Sequence, residues 1–96
     1  MKILAIEREV EGKEQKDFEP HLKSEALHVW NLYQEEVIRE IYFDKAKHTA
    51  VIILECIDEK EARSILYKLP LVKENLISFD IIPLVPYTGL GRLFKE

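Results

Sequence analysis

The alternation of apolar and polar positions predicts four short strands. Each run is brief, rich in β-branched or aromatic residues, and bounded by charged or turn-forming residues. A polar connection, residues 44–48, joins the second and third runs as a hairpin. The predicted strands are residues 1–8, 37–43, 49–57 and 77–82.

Two segments between these runs change to a helical period. Residues 19–35 carry an apolar stripe that we expect to be buried, and Pro20 suits the first turn of that helix. The second helix begins at a capping box formed by Asp58 and Glu61, and Pro70 is expected to end it. The stripe of the first helix is Leu22, Ala26, Val29, Trp30 and Tyr33, and that of the second is Ala62, Ile65, Leu66 and Leu69.

The predicted order β-α-β-β-α-β is that of the ferredoxin-like α+β fold, with two helices on one face of an antiparallel sheet. Water normally contacts the other face of such a sheet. In residues 49–54, however, both alternating sets of side chains are apolar, and residues 3–6 repeat this pattern. A strand that is apolar on both sides is buried on both sides. We therefore expect a second copy of the chain to cover the face that the helices leave free.

The end of the chain is predicted to be an extended arm. Residues 83–96 contain Pro83, Pro86 and two glycines together with several apolar residues, and they are too few to build a core of their own. We expect this arm to dock on a neighbouring copy, and a sheet edge is one place where it can add backbone hydrogen bonds. Residues 1–96 otherwise form one domain, without a linker or repeat.

Composition narrows the classes of function. The chain has 96 residues, of which 47% are hydrophobic, and a formal net charge of −4 without a basic cluster. This charge disfavours a nucleic-acid partner. The sequence shows neither a signal peptide nor a membrane span, and its single cysteine, Cys56, is interpreted as a small core residue in a reduced, cytoplasmic protein.

Several motifs together resemble the muconolactone isomerase family of α+β barrels. The residues are Arg39-Glu40-Ile41-Tyr42, then His48, then Leu69-Pro70-Leu71 before a hydrophobic last strand. The resemblance extends over residues 25–80. It is closer to an uncharacterised bacterial subgroup, which shares His21-Leu22 with Glu25, the segment Val29-Trp30-Asn31-Leu32-Tyr33, and the tail Pro86-Tyr87-Thr88-Gly89.

The resemblance implies a dimeric α+β barrel that works without a cofactor. Muconolactone isomerases move a proton within an unsaturated lactone that carries a carboxylate. The implied function is therefore a cofactor-independent isomerase acting on a small acidic organic ligand. The alternative is a non-catalytic oligomeric module that binds such a ligand. The chain departs from the isomerases in its shorter amino-terminal linker and its different tail, so the resemblance does not fix a substrate.

Arg39 is the first candidate for a site residue. It lies between apolar residues of the second strand, and a guanidinium buried there needs an anionic partner. That partner is either an internal carboxylate, of which Glu7, Glu55 and Asp80 are candidates, or the carboxylate of a substrate. Glu40 should face the opposite side of the sheet unless a bulge intervenes.

The other candidates are polar residues of the first helix and the neighbouring strands. His21, Glu25 and His28 follow one flank of the helix, and proton transfer needs such an acid or base together with a donor for the developing oxyanion. We assign candidate catalytic roles to His21 and Tyr42, and candidate substrate-binding roles to Arg39, Glu25 and His48. The helix flank could also ligate a metal, but it lacks a fuller ligand set, and we expect no metal.

Overall fold

A computed structural model describes residues 1–95, and it confirms the predicted α+β fold. The strands are β1 (Lys2–Glu9), β2 (Ile38–Phe43), β3 (Ala50–Glu55) and β4 (Ile77–Leu84). The helices are α1 (Gln15–Phe18), α2 (Leu22–Gln34), α3 (Glu59–Leu66) and α4 (Pro70–Lys73), with 3-10 turns at Glu19–His21 and Gly89–Phe94. Within the described residues, no helix is both long and apolar enough to cross a membrane.

The four strands form one antiparallel sheet in the order β2-β3-β1-β4, which is the ferredoxin-like arrangement. β1 and β3 are therefore central, and β2 and β4 are the two edges. β1 pairs with β3 through Leu4 opposite Ile53, and with β4 through Leu4 opposite Ile82. This register fixes which side chains share a face of the sheet.

The core lies between the helices and one face of the sheet. Ile3 and Ala5 of β1 and Ile52 and Leu54 of β3 are almost fully buried there. The opposite face, here called the open face, has no helix over it. Its central residues are half-buried or exposed although all are apolar: Leu4, Ile6, Val51, Ile53, Ile82 and Leu84. The two-sided apolarity read from the sequence is thus present in the sheet.

The prediction of which α2 residues are buried is wrong, because a different side of the helix faces the core. Val29 and Leu32 pack against the core, whereas Leu22, Ala26, Trp30 and Tyr33 are exposed. Residues 25, 29 and 32 share one side of a helix, so the sheet covers only one edge of a broad apolar arc. The pattern correctly predicted a helix but did not show which part of the arc the sheet would cover.

The second helical segment also differs from the prediction. The predicted N-cap is confirmed, because Asp58 accepts the backbone N–H of Glu61, but Glu61 accepts the N–H of Ile57 and not that of Asp58, so the second hydrogen bond of a capping box is not formed. The helix ends at Leu66, however, and Pro70 occupies the first turn of the separate helix α4 instead of closing α3. A proline has no N–H to lose at that position, so it begins a helix as readily as it ends one.

The carboxyl-terminal arm begins later than predicted and is not extended throughout. β4 continues to Leu84, with Pro83 accommodated because β4 is an edge strand. Residues 89–94 form 3-10 turns, and Glu96 lies outside the described residues. Docking of the arm on a neighbouring copy stays a prediction.

Association through the open face can be tested with Ile53→Lys, which places a charge at the centre of that face. We expect the natural chain to sediment as a dimer or larger assembly at micromolar concentration, because an uncovered apolar sheet face favours a partner. The variant should shift toward monomer while its circular dichroism is retained. Lys68→Glu, an exposed charge change on the helix side, is the control and should leave assembly unchanged. A natural chain that sediments as a stable monomer would contradict the prediction.

Candidate functional site

Glu7 stands at the end of β1 on the helix side of the sheet. It lies opposite Phe79 of β4, whose side chain is buried in the core, and it is only half-buried. Its Oε1 accepts the backbone N–H of Ala50 at 3.0 Å, the first residue of β3. This hydrogen bond ties the carboxylate to the neighbouring strand.

Glu25 reaches the same layer from α2. It occupies the side of the helix that faces the core, together with Val29 and Leu32. Its Oε1 accepts the backbone N–H of Leu71 at 3.0 Å, at the first turn of α4. The Leu69-Pro70-Leu71 motif thus has a physical role, because it presents a free helix N-terminal N–H to a carboxylate on another helix.

The charge of a histidine acts on each carboxylate, His48 on Glu7 and His28 on Glu25, although no ion pair within residues 1–95 joins a histidine to either one. His48 ends the turn between β2 and β3 with a φ of 57°, and its ring stacks on Phe43 with the centroids 4.0 Å apart. His28 is held by Ser24, whose carbonyl oxygen lies 2.9 Å from Nδ1. His21 is half-buried where α2 begins, one turn before Glu25.

The charges of these residues influence one another, although no hydrogen bond or ion pair within residues 1–95 joins one of them to the next. Burial raises the pKa of Glu7, while the Ala50 N–H and the charge of His48 act in the opposite direction. Burial also raises the pKa of Glu25; the Leu71 N–H and His28 lower it, and the charge of Glu7 raises it further. We call Glu7, Glu25, His28 and His48 the acidic site. Two carboxylates that repel each other beside imidazoles are an arrangement suited to proton transfer.

Arg39 does not occupy the buried position predicted for it. β2 is an edge strand, and its pairing skips from Ile38 to Glu40, which makes Arg39 the extra residue of a β-bulge. The side chain is exposed, and its Nε donates to the Glu36 carbonyl oxygen at 2.6 Å. No ion pair within residues 1–95 includes it, although its charge helps to lower the pKa of Glu55. The bulge removes the strict alternation on which the prediction relied.

Tyr42 is also separated from the acidic site. It pairs with Val51, so it belongs to the open face, and its hydroxyl donates to Glu40 Oε1 at 2.7 Å. That hydrogen bond and the carboxylate charge raise the pKa of Tyr42. Of the predicted site residues, the structure therefore groups His21, Glu25 and His48 on the helix side. It leaves Tyr42 and Arg39 outside this group within one chain.

Glu7 is the site residue that the sequence analysis considered only as a partner for Arg39. A signal for it was present, because Ile3, Ala5 and Glu7 alternate along β1 and the first two are core residues.

Cys56 is buried as predicted, and burial raises the pKa of its thiol, which disfavours the reactive thiolate. Among residues 1–95 no group of three or more potential ligands is arranged to hold a metal ion.

Two solved structures share the fold of this chain. Muconolactone isomerase superposes with a TM-score of 0.73 at 12% identity, covering 93% of each chain. The second structure is a 5-chloro-2-hydroxyhydroquinone dehydrochlorinase from Burkholderia phenoliruptrix AC1100 in complex with 2,5-dihydroxybenzoquinone. It superposes with a TM-score of 0.63 at 14% sequence identity, covering 93% of this chain and 98% of the other. No protein-family model and no curated protein matches the sequence. The resemblance to muconolactone isomerase is confirmed at the level of the fold.

Glu25→Gln should make the protein more stable at neutral pH. Glutamine still accepts the Leu71 N–H but carries no charge to be desolvated. Because the folded-state pKa of Glu25 is raised above its ordinary value of 4.5, protonation adds stability at low pH that is lost as the pH rises through the raised pKa. The variant should therefore melt above the natural chain at pH 7, with a difference that shrinks toward pH 4. Exposed Glu11→Gln is the control, and an equal gain at both pH values would contradict the assignment.

Arg39→Met should change the stability of the isolated chain by no more than about 0.5 kcal/mol, the usual range for an exposed position without an ion pair. Chemical denaturation measures this directly. A loss near 3 kcal/mol would instead mean that the substitution leaves a carboxylate unpaired in a buried interface. Titration with small carboxylic acids on the same variant tests whether Arg39 binds a ligand carboxylate.

Proposed function

We propose that this protein is a cofactor-independent isomerase that moves a proton within a small unsaturated organic acid or lactone. The observation that carries the proposal is the acidic site, where two half-buried carboxylates of raised pKa lie between α2 and the sheet beside two histidines. The fold is compatible, since one protein that shares it is named muconolactone isomerase.

The carboxylates supply the base. A carboxylate whose pKa is raised by burial removes a proton from carbon more effectively near neutral pH than a fully solvated one. Glu25 is the better candidate, because its pKa is raised by burial and again by the charge of Glu7. Each glutamate uses Oε1 to accept a backbone N–H, which orients the carboxyl group and leaves Oε2 without a protein donor among residues 1–95.

The histidines supply the hydrogen-bond donors. Removing a proton next to a carbonyl creates an oxyanion, and a donor placed there stabilises it. His48 is positioned for this by its stacking on Phe43, whereas His28 donates Nδ1–H to the Ser24 carbonyl and can donate from Nε2 only when that nitrogen also carries a proton. A protonated imidazole can also bind the carboxylate of a substrate, a role that the sequence had suggested for Arg39.

Arg39 is too far from the acidic site to bind the same small molecule within one chain. It lies at the start of β2, and Phe43 at the end of that strand is about 13 Å away along it. In this proposal His21 adjoins the helix side of the site, while Tyr42 and Arg39 contribute only if a second copy brings its own residues to the site.

The second candidate is a non-catalytic oligomeric module that binds a small acidic ligand. Many large apolar side chains are exposed in a single chain, and this favours assembly of several copies. Such assembly does not require that the protein catalyse a reaction. Binding of a ligand without any proton exchange would distinguish it from the isomerase.

Proton transfer can be followed as deuterium incorporation. Small unsaturated lactones carrying a carboxylate are incubated with the protein in D2O, and ¹H NMR measures exchange at the carbon next to the carbonyl. We expect Glu25→Gln to lower the rate by about 10²- to 10⁴-fold, the usual contribution of a general base. Glu7→Gln should lower it less, and the exposed control Glu11→Gln should have no effect. Exchange no faster than in buffer across the panel, or unchanged by Glu25→Gln, would overturn the proposal.

A further inference from the structure

An apolar groove runs between α2 and the edge strand β2 on the helix side of the sheet. Ile41 and Phe43 pair with Ile52 and Ala50, so they point to the same side as the helices. Five apolar residues of these two elements define what we call the α2–β2 groove, and all five are exposed in the single chain. Their exposed fractions are 48% for Leu22, 54% for Trp30, 50% for Tyr33, 39% for Ile41 and 62% for Phe43.

The groove exists because α2 covers the sheet with only one edge of its apolar arc. Val29 and Leu32 meet the core, and the remaining apolar residues project over the outer edge of β2. The connection between α2 and β2 is only three residues long, so the two elements run antiparallel. Tyr33 therefore lies near the start of β2, and Leu22 lies near Phe43 at its end.

The carboxyl-terminal arm, residues 85–95, is an apolar segment that also has no cover. The chain measures 61 × 29 × 21 Å with a radius of gyration of 15.9 Å, against about 12 Å for a compact domain of this length. The excess reflects the projecting arm. Its large apolar side chains are 63–85% exposed: Val85, Tyr87, Leu90, Leu93 and Phe94.

We propose that the arm of one copy docks in the α2–β2 groove of a second copy. Within one chain the arm leaves from β4, whereas the groove lies at β2 on the opposite edge of the sheet. The charges favour the arm, because its charged residues are Arg92 and Lys95, whereas the exposed Glu35, Glu36 and Arg39 where α2 ends and β2 begins leave a net negative charge. The 3-10 turns of residues 89–94 also suit a groove better than a sheet edge, which requires extended backbone.

The dimensions agree with this arrangement. α2 has 13 residues and is about 20 Å long, a distance that eleven arm residues in mixed 3-10 and extended backbone can span. Reciprocal docking of two arms gives a closed pair related by a two-fold axis. The groove ends at Phe43, on which His48 stacks, so the arm of the second copy would border the acidic site.

Trp30 is the only tryptophan of the chain, and its fluorescence reports occupancy of the groove. In the full chain at micromolar concentration we expect blue-shifted emission and weak quenching by acrylamide. The double variant Leu93→Asp, Phe94→Asp should shift the emission to the red and increase quenching at least twofold. Ile57→Asp, an equally exposed apolar position outside the arm, is the control and should change neither. Association through the open face does not bury Trp30, since α2 lies on the other side of the sheet.

Two further measurements, dilution of the natural chain and addition of a peptide, test whether the arm of a second copy occupies the α2–β2 groove. On dilution to the monomer, the natural chain should acquire the emission of the double variant. A synthetic peptide of residues 85–95 added to the double variant should restore the blue shift. A blue shift that persists in the monomer would overturn the proposal in favour of docking within one chain. A double variant that dissociates without any change in Trp30 emission would equally overturn it, by placing the arm elsewhere.

Discussion

The structure depends on one constraint: a single chain of this size carries more apolar surface than its own helices can cover. α2, α3 and α4 lie on one face of a four-stranded sheet, and the central strands are apolar on both. Burial of apolar surface is the main favourable term in folding, so an uncovered sheet face, an uncovered helix flank and an uncovered arm all favour contact with other copies. The arm of one copy and the α2–β2 groove of another can cover each other, whereas the open face lies on the other side of the sheet and needs a separate contact.

The acidic site is a local exception, because it places charged groups at the edge of the apolar core. Glu7 and Glu25 place two carboxylates at the boundary of the apolar layer, where the ionised forms are disfavoured. Each is held by one backbone N–H, from β3 in one case and from α4 in the other. Half-buried carboxylates with a raised pKa are common at functional sites. Their two hydrogen bonds join β1 to β3 and α2 to α4.

Much of this architecture could be predicted from the sequence. Alternation predicted the strands and their two apolar faces, and Asp58 marked the start of α3 correctly as its N-cap. The α2 stripe and Arg39 are misplaced because a periodic pattern gives the type of element, but neither its tertiary environment nor a bulge that interrupts it. The apolar arc of α2 is wider than the sheet can cover, so the pattern alone could not select Val29 and Leu32 over Trp30. Only the tertiary position of the helix decides this.

The two edges of the sheet have a consequence for how copies meet. An edge strand offers unpaired backbone groups to any other chain, and unprotected edges lead to amyloid-like aggregation. At β2 the bulge at Arg39 interrupts the ladder and places charged Arg39 and Glu40 side by side. At β4 Pro83 removes a donor from the edge. Both edges are therefore protected against the addition of a further strand. Copies can still meet through side-chain packing, which gives a closed assembly, whereas backbone pairing at an edge could continue from chain to chain without limit. The same bulge that moved Arg39 out of the core therefore also protects an edge of the sheet that would otherwise be open to fibre-like strand addition.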